Sequence, residues 1–471
     1  MAFSLPRRGV VVLAAAVAAV LAGSAAAWAV AWDNVKPVVD SGKSTAGLQK
    51  LVWTASNLAP VDAAFADGSL SSDGGAGLAQ VYSHTNQQMY YKSASQCTSA
   101  KAAVADADAQ YTLAAWCFSG ADETSDAWVP QAVTSSQDAQ QYSGYSAGGD
   151  EVVGLWRQAA NAGNRGRCTS VPDDAGRSVN LRATFIQRPY TDGTHSAYRH
   201  VLLVAPTSNG NVIAPICDVH GGGAVWYGPY LFVSWHGAGF KVFDTRRTYK
   251  IPFDTTCGSG GGAPGVNDIG VVGGRVCAAG YRYVMVQVGQ FATSPSGCST
   301  TPASLNAGLC FSGISLQWSD DSIVSSEYRN AADMTASGVP VRIVNWSTAD
   351  LVNRITSGSA AAVTATRLAT TNFEGVQGVM ERPNATSGRA EFYIARTVPG
   401  NDSSELWYEH DGDGVCPAKG VYVDNAEQVS YWVDSDGNGH LWTFTEYANR
   451  RMLVRIYTNE YNDPPSGCPT Q

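Results

Sequence analysis

The stretch HGGGAVWYGPYLFVSWHGAGFKVFDT, His220–Thr245, decides the fold. It reads as three short strands, Gly222–Trp226, Tyr230–Trp235 and Phe240–Phe243, joined by a Gly228–Pro229 turn and by Gly237–Gly239. Apolar alternation between Gly and Pro punctuation predicts antiparallel strands with tight connections. Working outward, the cadence recurs. Downstream, SGISLQWSDDSIVSSEYR (Ser312–Arg329), GVQGVMERP with AEFYIART (Gly375–Thr397) and EQVSYWVDSDGNGHLWTFTEY (Glu427–Tyr447) each run from a small or polar residue through a strand and a turn into a second strand. Upstream, WVPQAVT from Trp128, Glu151–Arg157, Val179–Ile186 and Tyr198–Pro206 make one four-stranded unit. A degenerate repeat of antiparallel units, none able to bury its faces alone, predicts the blades of a β-propeller.

The expected fold class is therefore all-β, a single propeller of five four-stranded blades over residues 121–460. The number becomes six if a further blade lies around Gly260–Phe291 or in the N-terminal segment, 30–120, which is expected to pack on the propeller. Residues 461–471 read as a C-terminal tail.

Composition agrees with such a chain. Forty-nine glycines and 15% charged residues suit a turn-rich β-protein with a large core. A net charge of −9 argues against nucleic acid as partner. Arg7–Arg8 followed by the apolar run Gly9–Ala22 and small-x-small sites at Ala25–Ala27 and Ala27–Ala29 reads as a signal peptide, 1–29. Secretion to the extracellular space follows, with no membrane span left after cleavage, and a monomer is expected. Ten cysteines in an exported chain read as disulfides. Neighbour pairing gives Cys97/Cys117, Cys257/Cys277, Cys298/Cys310 and Cys416/Cys468, leaving Cys168 with Cys217.

WCFSGADETSDAWVPQAVTSSQDA (Trp116–Ala139), GGAVWYGPYLFVSWHGAGFKVFD and the closing LWTFTEYANRRMLVRIY together resemble a family of uncharacterised secreted, propeller-like proteins of actinobacteria. The resemblance implies a secreted propeller and carries over no catalytic residue.

Blade geometry narrows where chemistry can sit. First and second strands of a blade run antiparallel, so the start of one and the end of the other share a face of the ring. Starts carry Gln131, His220, Gln377 and Glu427–Gln428; ends carry Arg157–Gln158, Trp235–His236, Glu327–Tyr328, Arg396 and Glu446–Tyr447. Polar groups converging among aromatics at one mouth of a channel define the default ligand site. A carbohydrate or cell-surface ligand would meet His220, Trp235, His236, Tyr328, Gln377, Arg396 and Tyr447 there. A glycan hydrolase or lyase would need two carboxylates roughly 5–10 Å apart, from Glu327, Glu427 and Glu446. A structural envelope protein would need no pocket. A metal held by His220 and His236 lacks the usual ligand spacing. DSDGNG offers Asp434, Asp436 and Asn438 in a calcium-like order, but Thr445 stands where a glutamate closes such loops, so a hairpin turn is the expected reading and no cofactor is implied. Asn345-Trp-Ser and Asn384-Ala-Thr fit the glycosylation pattern.

Overall fold

The computed structural model describes residues 39–40, 49–71, 77–82, 87–108, 113–147, 151–158, 180–187, 195–217, 219–235, 237–251, 269–294, 297–383, 390–398, 404–410, 414–416, 422–434 and 437–458. The chain is mostly β. Most of the described strands fall into five antiparallel meanders, with a separate hairpin at Ile269–Val272 and Arg275–Ala278 and a parallel pairing between His195–Thr207 and Tyr283–Ser294. The first comprises Trp128–Ser135, Glu151–Gln158, Leu181–Gln187 and His195–Thr207. The second is Ala224–Tyr227, Tyr230–Trp235, Gly239–Lys250 and Tyr283–Ser294. Phe311–Gln317, Ser322–Glu327, Val341–Ser347 and Arg367–Thr371 form the third. The fourth runs through Val376–Pro383, Ala390–Thr397, Ser404–His410 and Gly414–Cys416. The fifth takes Ser430–Val433, Gly439–Phe444 and Met452–Tyr457 from the end of the chain and Leu113–Phe118 from near its start.

Local chemistry makes these hairpins. Tyr227 pairs with Tyr230 across a two-residue turn, where Gly228 adopts a φ of 56° and Pro229 follows. Glycine takes that left-handed conformation without steric cost, and it matches the twist of the flanking strands. Tyr230–Trp235 is buried on both faces until its last residue, as a strand sandwiched between layers must be.

Each meander packs on the next. Phe185 and Val201 of the first meet Trp226 and Val233 of the second. Phe232 and Phe240 meet Ile314 and Trp346 of the third. Ile343 meets Phe392 and Trp407 of the fourth, and Tyr393 meets Leu441 and Val454 of the fifth. Trp116, Phe444 and Leu453 of the fifth return to Val152 and Trp156 of the first. Burying each such side chain is worth about 1.5–3 kcal/mol. Phe118 sets its edge against Trp156 at 4.8 Å between centroids, joining the end of the series to its beginning.

The N-terminal segment is woven in rather than laid on top. Lys50–Ala55 extends the second meander, Val39–Asp40 the third, and Gln87–Tyr91 bridges the fifth and the first. Disulfides join Cys97 to Cys117 and Cys298 to Cys310. Cys217 and Cys277 are also disulfide-bonded. Their expected partners Cys168 and Cys257 lie outside the described residues, as do Cys468, the side chain of Cys416, the signal region and Asn384.

The first strands of the second, third and fourth meanders, and the residues leading into the fifth, come into close contact. A Cβ on Gly223 would lie 2.3 Å from the Ile314 nitrogen, one on Gly313 2.5 Å from the Gln377 carbonyl, and one on Gly378 2.8 Å from the Gln428 Cα. Side-chain-free backbone lets the strands close in, and the Gln428 side chain fills the remaining gap. Its Oε1 accepts from the Ala224 N–H at 2.8 Å, and its Nε2 donates to the Ala224 carbonyl at 3.1 Å and to that of Ile314. Replacing Gln428 with Leu strands these buried peptide groups, at about 1–3 kcal/mol each. Urea unfolding of the Gln428→Leu variant is expected to show a loss of about 3 kcal/mol or more relative to wild type.

Candidate functional site

The site lies where the fifth meander meets the first. Strand Leu113–Phe118 ends, Gly120 turns the chain with a φ of 58°, and the helical turn Ala121–Thr124 leads into Trp128–Ser135. Across from it, an isolated bridge pairs Ala426 with Thr445. The Glu427 N–H donates to the Phe444 carbonyl and the Glu446 N–H to the Asn425 carbonyl. This register brings Glu427 and Glu446 side by side.

Glu446 Oε1 accepts from Arg157 Nη2 at 3.1 Å and from Gln131 Nε2 at 3.2 Å. Its side chain keeps 15% exposure. Glu427, close by, is buried, with 4% exposure. Burial first, then the charge of Glu446, push the Glu427 carboxyl well above the usual carboxylate range; Arg157 works against them. Tyr447, next along the chain, is 48% exposed.

Behind this pair runs a second layer of charge. Arg451, fully buried, donates to the carbonyls of Glu446 (3.1 Å), Asp122 (2.8 Å) and Ser125 (2.6 Å). Burial brings its pKa down to about 10 despite the charge of Glu123. Asp122 accepts from Arg182 Nη2 at 2.7 Å, Tyr198 Oη at 2.7 Å and Gln87 Nε2 at 2.9 Å, and contacts His200 Nε2 at 2.9 Å. Burial alone would raise its pKa; Arg182, His200 and the Tyr198 hydroxyl outweigh it and hold the carboxyl well below the usual range. Burial, then the Arg182 charge, bring His200 down to about 4. The neutral ring satisfies both neighbours when Nε2 carries the proton toward Asp122 and Nδ1 accepts from the Thr184 hydroxyl, 2.6 Å away. Acid, imidazole and hydroxyl stand in the order that hydrolases use, yet Thr184 is fully buried. The set braces the turn rather than meeting substrate. Arg182 is sandwiched between Trp128 and Trp156, 4.6 and 4.7 Å from their ring centroids.

The other predicted residues are placed elsewhere. Glu327 is completely buried in an ion pair with Arg342 and accepts from the Cys310 N–H, so it anchors the third meander and faces no solvent. Arg396 pairs with Glu405 at 2.7 Å along the fourth meander, and Gln377 donates to Thr397 Oγ1 at 2.8 Å. Trp235 is half-buried under the Lys241 ammonium, 3.8 Å from its ring centroid. His220 is half-buried on the approach to the second meander, and Tyr328 is 41% exposed. His236 and Asp436 lie outside the described residues. Asp434 accepts from the Asn438 N–H at 2.9 Å and contacts His440 Nε2 at 2.9 Å. Asn345 is buried and bonded to Gln317 and Glu381, so its sequon is closed to modification in the folded chain. Asp122, Glu123, Arg182, His200 and Arg451 were not singled out from the sequence. Only Arg182 carried a local signal, a charge at an apolar-flanked strand position, which must find a partner when buried.

No family model matches the chain, and no curated protein matches it. Among solved structures, a Trypanosoma rangeli sialidase in complex with 2,3-difluoro-KDN aligns at 12% identity and a TM-score of 0.30 over 75% of this chain and 50% of its own. The sialic acid complex of the Trypanosoma rangeli sialidase aligns at 11% identity and a TM-score of 0.29, over 74% of this chain and 49% of its own. A polysaccharide lyase, an ulvan lyase, gives 10% identity and a TM-score of 0.20, over 73% of this chain and 76% of its own. The chain thus spans about half the length of the sialidases. At these scores the likeness assigns no chemistry to it.

Glu123 sets a pH dependence. Burial raises it to about 7 against the N–H and charge of Arg451. Between its unfolded value near 4.5 and about 7, the native state keeps a proton that the unfolded chain has lost. The resulting stabilisation is full below that window and disappears as pH rises through it, a change of roughly 2–3 kcal/mol. Denaturant unfolding at pH 5 and pH 8 is expected to show Glu123→Gln gaining on wild type by about 2 kcal/mol between the two.

Proposed function

We propose that this chain is a secreted, five-bladed β-propeller that binds a carbohydrate or cell-surface glycan at the Glu427–Glu446–Arg157 junction of its first and last blades. The carrying observation is the state of Glu446. A partly exposed carboxyl group, fixed by Arg157 and Gln131, is followed in the chain by the exposed Tyr447. A preset acceptor next to an aromatic face is what a hydroxyl-rich ring with apolar faces requires. The ring reading is supported by the packing of each meander on the next and of the fifth on the first. Export is supported by the disulfides, which persist in oxidising compartments, together with the basic and apolar N-terminus.

A second reading has one observation in its favour. Burial pushes the Glu427 carboxyl well above the usual carboxylate range, and a carboxyl raised in this way near a second acid is a usual means of acid–base work. Glycan cleavage would use the same pair.

Calorimetric binding to a panel of bacterial and plant polysaccharides tests the first reading. Tyr447→Ala and Glu446→Gln are expected to weaken binding at least about tenfold, which is 1.4 kcal/mol, with melting temperatures within about 2 °C of wild type. A large loss of stability instead would assign both residues to the scaffold. Reducing-end release by wild type and not by Glu446→Gln would establish cleavage.

A further inference from the structure

Three arginines of this chain share one arrangement. Arg182 lies between the rings of Trp128 and Trp156 and pairs with Asp122 at 2.7 Å. Arg382 lies over Tyr393 and Tyr431 and pairs with Glu391 at 2.6 Å. Arg396 lies over Phe373 and Trp407 and pairs with Glu405 at 2.7 Å. In each, aromatic faces hold the guanidinium and a carboxylate neutralises it. Arg455 has only the first half. Its Cζ is 5.8, 5.9 and 5.7 Å from the ring centroids of Trp116, Trp442 and Tyr457. Among the described residues it pairs with no carboxylate. Arg455 Nε is buried without a hydrogen-bond partner there, and so is Nε1 of Trp442, which stands directly across the ladder and is 4% exposed. Asp434, in the turn that leads into the Trp442 strand, is engaged by Asn438 and His440.

Aromatic faces attract a guanidinium but give its N–H groups no acceptor. Buried donors without acceptors are costly, and each such group in a folded chain calls for an explanation. Guanidinium and indole N–H are donors only, so both lack the same thing. Beside a permanent positive charge, the strongest acceptor is an anion. Arg455 and Tyr457 are half-buried, so the set borders solvent. We propose that Arg455 and Trp442 bind an oxyanion group of a ligand, a carboxylate, sulfate or phosphate. It takes the place that Asp122, Glu391 and Glu405 fill at the other three arginines. Trp116 and Tyr457 hold the guanidinium in position, and Trp442 supplies a second N–H. The site uses none of Glu427, Glu446 or Arg157 and is independent of the carbohydrate reading.

The test is the indole N–H magnetic resonance spectrum of the purified protein, labelled with 15N at tryptophan. Sodium sulfate, phosphate and acetate are titrated against sodium chloride at matched ionic strength, and Trp442→Phe identifies the Trp442 signal. A saturable shift of that signal is expected with at least one of the three anions. The same anion is expected to raise the melting temperature of wild type, because it binds the folded chain alone. Arg455→Met, which keeps the stem and removes the charge, should abolish both effects. Arg455→Lys, which keeps the charge but loses the planar fork, should weaken binding at least about tenfold, and it serves if the methionine variant does not fold. A stronger response to acetate assigns a carboxylate ligand; a stronger response to sulfate or phosphate assigns a tetrahedral ester. No saturable shift up to about 100 mM of any of them overturns the proposal. So does a shift that Arg455→Lys and Arg455→Met leave unchanged, which would place the anion elsewhere.

Discussion

The arrangement of this protein depends on one constraint: the innermost strand of each meander has an edge with no further strand to pair with. Buried peptide groups without partners are costly, so these edges must be satisfied from the side. Gln428 does most of this at one level, serving both backbone groups of Ala224 and the carbonyl of Ile314. Asp138 does it at another, accepting from Thr134 (2.8 Å), Ser430 (3.1 Å) and Trp318 (2.9 Å), residues from three different meanders or their exits. Thr134 in turn accepts from the Trp226 N–H at 2.9 Å. Burial raises Asp138 to about 6 even with these donors aimed at it. The centre of the molecule is thus a polar spine between apolar wedges.

The contact between the fifth meander and the first is the second consequence. The last meander borrows its outer strand from Leu113–Phe118, so the two ends of the sequence must meet before either is complete. Cys97–Cys117 ties that strand to the preceding helical turns, and Gln87–Tyr91 stitches it to the first meander. The turn carrying Asp122 and Glu123 follows directly. Its charges therefore brace the closure on one side and underlie the Glu427–Glu446 pair on the other. Binding residues and closing residues share one network, which explains why so many arginines are buried there.

The mostly β character and the hairpins were legible because turn chemistry and alternation are local. Ala224–Tyr227 and Tyr230–Trp235 pair across Gly228–Pro229 as the Gly–Pro punctuation indicates. Antiparallel register puts strand starts and ends on one face, and Arg157 and Gln131 both reach Glu446. What the residues did not disclose were partners distant in sequence. Nothing near Glu327 announces that Arg342 will neutralise it, and nothing near Leu113 announces that it will pair with Ile456. Gly223, Gly313 and Gly378 lie in stretches that read as strands, and nothing local announces that they let strands of different meanders come into contact.

The claim that the inner edges are closed by side chains is tested most directly by hydrogen exchange at the Ala224 amide. With Gln428 as its acceptor, that amide is expected to exchange only through global unfolding, as slowly as the paired core of Tyr230–Trp235. Exchange within seconds at neutral pH, as from an exposed strand edge, would contradict the account and reopen the centre of the ring to solvent.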